Sequence, residues 1–303
     1  MLHLPQQVEV IDVGPRDGFQ NIKEWIPTEV KMEIIDGLMA AGVKSIEVTS
    51  FVHPKAIPQM ADATTVAAAA LEKYQQVGLK AKALVPNLQG AKKAYSQGIR
   101  EVTYVISASE KHNLANINRT REQSLADLAA IIKELPDLTI RLAAATSFGC
   151  PFAGQVPEEL VLSLIQSAVD LGVNYVVLCD TIGVGDPKQV YSLVQAVKTN
   201  YPNITVALHL HDTRGMGLAN TLAGLEAGIT VFESAIGGLG GCPFAPGAAG
   251  NTATEDMINM FHRMGIQTGI DLDQYLSVVE IVKTKIQPVL TGHLASACKY
   301  DNL

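Results

Sequence analysis

The chain has 303 residues, 48% of them hydrophobic, which suits one large α/β domain or two small ones with a sizeable core. Only 5% are aromatic, so Ala, Val, Leu and Ile must fill that core, as they do in a parallel sheet covered by helices. A formal charge of −7 argues against general binding to nucleic acid or a membrane surface, yet a few local Arg and Lys side chains could still hold an anionic substrate.

The pattern alternates short β-branched runs with longer helical ones. Strands are expected over 8–13, 45–49, 81–85, 101–107, 138–144, 175–179, 205–210 and 230–234. Helices are expected over 31–41, where Ile34, Ile35 and Leu38 share a side, then over 64–74, 90–97 and 121–134. They continue over 157–171, with Pro157 suited to a first turn, then 187–199 and 219–227. Thr252-Ala253-Thr254-Glu255 reads as a capping box opening a further helix, and helices should run on to about residue 287.

Eight strands at a spacing of about 30 residues fit a closed (β/α)₈ barrel of the TIM type, with residues 252–303 as a C-terminal helical extension of a single domain spanning 1–303. An open doubly wound sheet is the alternative. It is weakened because no G-x-G-x-x-G follows the first strand. Cys150, Cys179, Cys242 and Cys298 are far apart and form no C-x-x-C, so neither a zinc knuckle nor a disulfide framework is indicated, and a reducing cytoplasm is expected. The start lacks the pattern of a signal peptide, and no apolar run is long enough to span a bilayer.

The most informative triplet is His209-Leu210-His211. Residues i and i+2 of a strand face the same way, roughly 6–7 Å apart, so the two imidazoles could form half of a divalent-metal site. Asp17, in Gly14-Pro15-Arg16-Asp17-Gly18, is the best candidate for a completing carboxylate. The plainer reading is a pair of hydrogen-bonded histidines at a strand end.

In a barrel, polar residues at the C-terminal ends of the strands share the rim where active sites lie. Here that rim collects Arg16 and Asp17, Glu47 and Ser50, Asn87, Ser109 and Glu110, Asp180 and Thr181, His209 and His211, and Asn251. Singly, each has an ordinary role: Asp180-Thr181 could start a turn, Glu47 could pair with Arg16, and Asn87 could cap a helix. Two imidazoles, a carboxylate, an amide oxygen and room for water favour Mg²⁺ or Mn²⁺, with Fe²⁺ or Co²⁺ possible. Such an open shell would let a substrate hydroxyl bind and lose its proton. Beside it, Arg16 would stabilise an enolate or thioester oxygen.

The segment Gly237-Gly238-Leu239-Gly240-Gly241-Cys242-Pro243-Phe244-Ala245-Pro246-Gly247-Ala248-Ala249-Gly250-Asn251 reads as a mobile lid carrying Cys242 into the site. Gly149-Cys150-Pro151-Phe152-Ala153-Gly154 echoes it, with Cys150 taken as structural.

These motifs, with Thr49-Ser50-Phe51-Val52, Pro58-Gln59-Met60 and Asp180-Thr181-Ile182-Gly183-Val184-Gly185, resemble those of the 3-hydroxy-3-methylglutaryl-CoA lyase family, within the barrel metallolyases that include isopropylmalate and citramalate synthases. The resemblance covers nearly the whole chain. It implies a metal held by Asp17, His209, His211 and Asn251, and an acyl-CoA thioester cleaved to acetyl-CoA and acetoacetate. It implies proton transfer by Cys242, an enolate held near Arg16, support from Glu47 and Asp180, and substrate contacts at Gln20, Ser50 and Asn87. A homodimer and a place in leucine degradation and ketone-body metabolism are also implied. The chain departs from the family in Arg141-Leu142-Ala143-Ala144, where Ala143 stands in place of a Tyr near the acyl group. A bulkier C3 substituent is therefore expected to fit. The competing readings are a Claisen-type synthase joining acetyl-CoA to a keto acid, and a barrel that only binds acyl-CoA.

Overall fold

The structure is a computed structural model describing residues 4–241 and 250–297. Cys242 and Cys298 lie outside the described residues. Eight parallel strands follow one another around a closed barrel: β1 (Glu9–Asp12), β2 (Ser45–Ser50), β3 (Lys80–Leu84), β4 (Glu101–Ser107), β5 (Thr139–Ala145), β6 (Tyr175–Asp180), β7 (Thr205–Leu210) and β8 (Val231–Ser234). The closure separates the barrel from the open sheet, because β8 pairs back onto β1 with Glu9 opposite Val231 and Asp12 opposite Ser234.

The outer layer is α1 (Thr28–Ala40), α2 (Ala63–Tyr74), α3 (Leu88–Ser96), α4 (Glu110–Ile117), α5 (Arg121–Glu134), α6 (Glu158–Asp170), α7 (Pro187–Asn200) and α8 (Gly217–Glu226). Two helices follow the barrel, α9 (Thr254–Arg263) and α10 (Leu272–Lys285). Among the described residues, no helix is long and apolar enough to cross a membrane.

Strand alternation explains the core. On β5, Ile140, Leu142 and Ala144 join the large apolar layer between strands and helices. Ala143, on the opposite face, joins Val177, Cys179 and Ala207 inside the barrel. From the helix side, Ile34, Ile35 and Leu38 of α1 are fully buried in the outer layer, each contributing about 1.5–3 kcal/mol.

The interior is otherwise highly charged. Arg141 is fully buried, as are Glu47 and Lys82 nearly so, and Lys82 pairs with Glu101 at 3.4 Å. Such pairs add little stability, because desolvating two charges offsets most of their attraction. Dense buried charge is more informative about where chemistry takes place.

Two sequence expectations need correction. Thr252-Ala253-Thr254-Glu255 is no capping box: the residue before α9 is Ala253, and no side chain caps the helix. The Thr252 hydroxyl donates instead to the Leu210 carbonyl at 2.9 Å, and Glu255 is fully buried with its Oε2 accepting the Gly237 N–H at 3.0 Å. In addition, α4 was not anticipated, because the residues it buries are His112 and Asn113 rather than an apolar stripe.

Candidate active site and metal centre

β1 runs into a tight turn, Gly14–Gly18, in which the N–H groups of Arg16, Asp17 and Gly18 all approach the Val13 carbonyl, at 3.1, 2.6 and 3.3 Å. Gly14 permits this turn, since a Cβ there would stand 2.7 Å from Ile236 Cγ2. The turn lays the Arg16 guanidinium against Asp17 Oδ1, while its Nε–H donates to Glu47 Oε2 on β2. Gln20 adds a hydrogen bond to Asp17 Oδ1 at 2.8 Å.

The histidines come from the end of β7, two strands from β1 around the barrel, with β8 between them. Their Nε2 atoms are 3.1 Å apart and their rings are 5.2 Å apart between centroids. One ligand atom each from Asp17, His209 and His211 lies within 4.8 Å of the others, and all three residues are buried. Asn251 joins them because it bridges to His211 along the backbone and its Nδ2 donates to Asp17 Oδ2 at 2.7 Å. Gly240 (φ 113°) brings the chain against this side chain so closely that a Cβ would stand 2.4 Å from Asn251 Nδ2.

The donor set fits a divalent cation. Glu233 Oε2 lies 2.8 Å from His209 Nδ1. A carboxylate can only accept, so Nδ1 carries the proton, and in the neutral ring Nε2 is left with a lone pair for a ligand. Among the described residues Asn251 Oδ1 is buried with no hydrogen-bond partner, and a buried amide oxygen left so is available to a cation. Two imidazole nitrogens with carboxylate and amide oxygens suit an open divalent-cation site rather than structural zinc, which prefers a closed shell with thiolates.

Electrostatics agree with this arrangement. Burial opposes ionisation of Asp17, but the Arg16 guanidinium, with the two histidines, holds its carboxyl below the usual range. Burial, reinforced by neighbouring His209, lowers His211 to about 4, so its ring is neutral and able to ligate at neutral pH. Burial also opposes ionisation of Glu233, but Arg141 and His209 outweigh it and bring its carboxyl to about 2.

Other expected site residues make different contacts. Ser50 is buried at the end of β2, and its hydroxyl has no hydrogen-bond partner among the described residues. The strand register shifts between Glu47 and Thr49, where a bulge can re-aim a side chain. Asn87 caps α3, its Oδ1 accepting the Gly90 N–H at 2.9 Å. Asp180 accepts the N–H groups of Val184 and Gly185 at 2.9 and 3.0 Å, bracing the loop after β6, and burial raises its carboxyl. Cys150 is a buried free thiol, its Sγ 3.0 Å from Ser109 Oγ, and Ser109 caps α4.

Sequence reasoning missed Glu233 and the role of Arg141. The available signal was a charged residue next to apolar neighbours inside each of two strands, Val231–Ser234 and Thr139–Ala145.

A buried nitrogen–oxygen donor cluster at the C-terminal rim of a closed (β/α)₈ barrel defines the class: a barrel enzyme built to hold a divalent cation. The chain belongs to the HMGL-like family, whose model matches residues 7–282. It is 43% identical over 284 residues to a hydroxymethylglutaryl-CoA lyase of Bacillus subtilis, covering 93% of this chain and 94% of that one. It is 40% identical over 299 residues to an (R)-citramalyl-CoA lyase of Chloroflexus aurantiacus, covering 95% and 94%. The fold also matches a solved HMG-CoA lyase from Acinetobacter baumannii in complex with coenzyme A and 3-methylmalate, with a TM-score of 0.92, 39% identity, and 98% and 97% of the two chains covered.

Proposed function

We propose that this protein is a divalent-cation-dependent carbon–carbon lyase that cleaves 3-hydroxy-3-methylglutaryl-CoA, or a close 3-hydroxyacyl-CoA, to acetyl-CoA and acetoacetate. The observation that carries the reading is the convergence of Asp17, His209 and His211 within 4.8 Å, with Asn251 Oδ1 buried beside them and unpartnered among the described residues. The relatives described above are lyases, which favours cleavage over the Claisen-type synthase and over a barrel that only binds acyl-CoA.

The residues suit the reaction. Asp17, His209, His211 and Asn251 would hold Mg²⁺ or Mn²⁺. When bound, the cation supplies Lewis acidity that lowers the pKa of the C3 hydroxyl and neutralises charge on oxygen. Arg16 is fixed by Glu47 and Asp17 through Nε and Nη1, and Nη2, which makes no hydrogen bond among the described residues, would meet the enolate oxygen of departing acetyl-CoA. Glu47 and Asp17 keep that guanidinium charged and aimed. Gln20, Ser50 and Asn87 are proposed substrate contacts, and Asp180 a support for the rim. Cys242 is the proposed proton donor, delivered by the glycine-rich segment.

The acyl group is read from the barrel interior. Ala143, opposite Val105 on β4 and Val177 on β6, lies in a floor of small side chains with Cys179 and Ala207. Such a floor accepts a C3 substituent larger than methyl. A cytoplasmic location, consistent with free thiols at Cys150 and Cys179, and a homodimer complete the proposal.

The test is a panel of thioesters, 3-hydroxy-3-methylglutaryl-CoA, its C3-ethyl and C3-propyl analogues and citramalyl-CoA, incubated with metal-stripped protein before and after adding Mg²⁺ or Mn²⁺. Release of acetyl-CoA only with cation is expected. Free thiol appearing only from acetyl-CoA plus a 2-keto acid would identify a synthase, and no product under any condition would leave a binding protein.

A further inference from the structure

Beneath the candidate cation cluster, Arg141 reaches from β5 to β8, three strands further round the barrel, where its Nη2 donates to Glu233 Oε1. It is fully buried and is itself held on three sides. Its Nη1 donates to Thr103 Oγ1 at 3.2 Å, its Nε lies 3.3 Å from Glu101 Oε1, and its guanidinium lies 4.9 Å from the Tyr175 ring centre. Glu233 uses its other oxygen on His209 Nδ1. The chain of contacts is thus continuous from the barrel wall to a ligand: Thr103 and Glu101 hold Arg141, Arg141 holds Glu233, and Glu233 holds His209.

We propose that the Arg141–Glu233 pair is a positioning strut that fixes the ring of His209 with Nε2 facing the cation, and so sets how tightly this protein binds its divalent metal. The inference rests on the cation site described above. Neither residue touches substrate in this account. A buried ion pair gives little net stability, because its desolvation cost offsets most of its attraction, so core stability alone is a weak reason for this pair. Its geometry explains it better. With one oxygen pinned by an immobile guanidinium, the second can point only one way, and ring orientation at a metal ligand is governed by the partner of the remote nitrogen. Arg suits this role where Lys would not, because its planar fork meets two acceptors at fixed angles.

The experiment uses the full chain stripped of metal, titrated with Mn²⁺, and separately loaded with Co²⁺ to record its visible ligand-field spectrum. E233A and R141M are expected to weaken Mn²⁺ binding 10–100-fold and to alter the Co²⁺ spectrum, with circular dichroism unchanged. E233Q has a single acceptor oxygen for two donors, Arg141 and the His209 Nδ1–H, so it should weaken Mn²⁺ binding about as much as E233A. In the E233Q background, R141M frees that oxygen for the imidazole and should recover part of the loss, whereas a further loss equal to that of R141M alone would overturn the strut. If R141M does not fold, E233Q binding Mn²⁺ within threefold of the unmodified protein would overturn it. E233A and R141M binding Mn²⁺ within threefold of the unmodified protein, with its Co²⁺ spectrum, would overturn the strut while leaving the cation site intact. An H211A control that still binds Mn²⁺ normally would instead overturn the cation site on which the strut depends.

Discussion

Replacing Glu255 by Gln should stabilise this protein, and by an amount that grows with pH. Glu255 is fully buried at the start of α9, where Oε2 accepts the Gly237 N–H and Oε1 has no hydrogen-bond partner among the described residues. Burial, with Asp256 and Asp12 adding like charge, pushes its carboxyl up from 4.5 to about 8. A carboxyl raised on folding binds its proton more tightly in the folded state. Its contribution is therefore full below pH 4.5 and is lost as pH rises through 8. Glutamine imitates the neutral acid in shape and cannot ionise in the unfolded chain. The two proteins should match near pH 4.5, and E255Q should gain about 1.4 kcal/mol per pH unit above it, reaching about 3–5 kcal/mol by pH 8. Paired urea unfolding curves at pH 5, 7 and 9 measure the difference, and shared titrations elsewhere cancel in it. A gap that stays flat with pH, or a variant less stable at pH 9, would show that Glu255 ionises in the folded protein near its ordinary range and that the burial argument is wrong.

Other outcomes follow from the same geometry. Enlarging Ala143 to Val should leave the C3-methyl thioester nearly unaffected but lower kcat/KM for C3-propyl about 10–200-fold, as the floor it shares with Val177 and Cys179 fills. Equal losses for both substrates would place the substituent elsewhere. Asn87→Ala removes the cap of α3 and should cost about 1 kcal/mol in unfolding free energy. A raised KM in the same variant would assign Asn87 a substrate contact as well, whereas an unchanged KM would confine it to the helix.

The barrel was legible because its signal is repetitive. Strands such as Thr205–Leu210 and helices such as Pro187–Asn200 carry the two periodicities, and α1, α6 and α8 stop at the glycines Gly42, Gly172 and Gly228, each with positive φ. The cation cluster was legible because Asp17, His209 and His211 are chemically distinctive and lie at strand ends. What the pattern hid were residues whose roles depend on a distant partner. Arg141 and Glu233 are 92 positions apart, and nothing local marks either as facing the other. Thr252 and Glu255 have the right spacing for a capping box, but Leu210 and Gly237 compete for the same hydrogen bonds and win. In α4, polar residues are buried because Asn113 Oδ1 accepts the Ser107 N–H and its Nδ2 donates to the Arg119 carbonyl, an arrangement hydropathy cannot express.

The most direct measurement is a crystal of this protein grown with Mn²⁺ and examined by anomalous scattering. A single strong peak roughly 2.0–2.3 Å from an Asp17 carboxylate oxygen and from Nε2 of both His209 and His211 is expected, with Asn251 Oδ1 turned toward it. A peak elsewhere in the barrel, or crystals saturated with Mn²⁺ and lacking any peak among these three side chains, would contradict it.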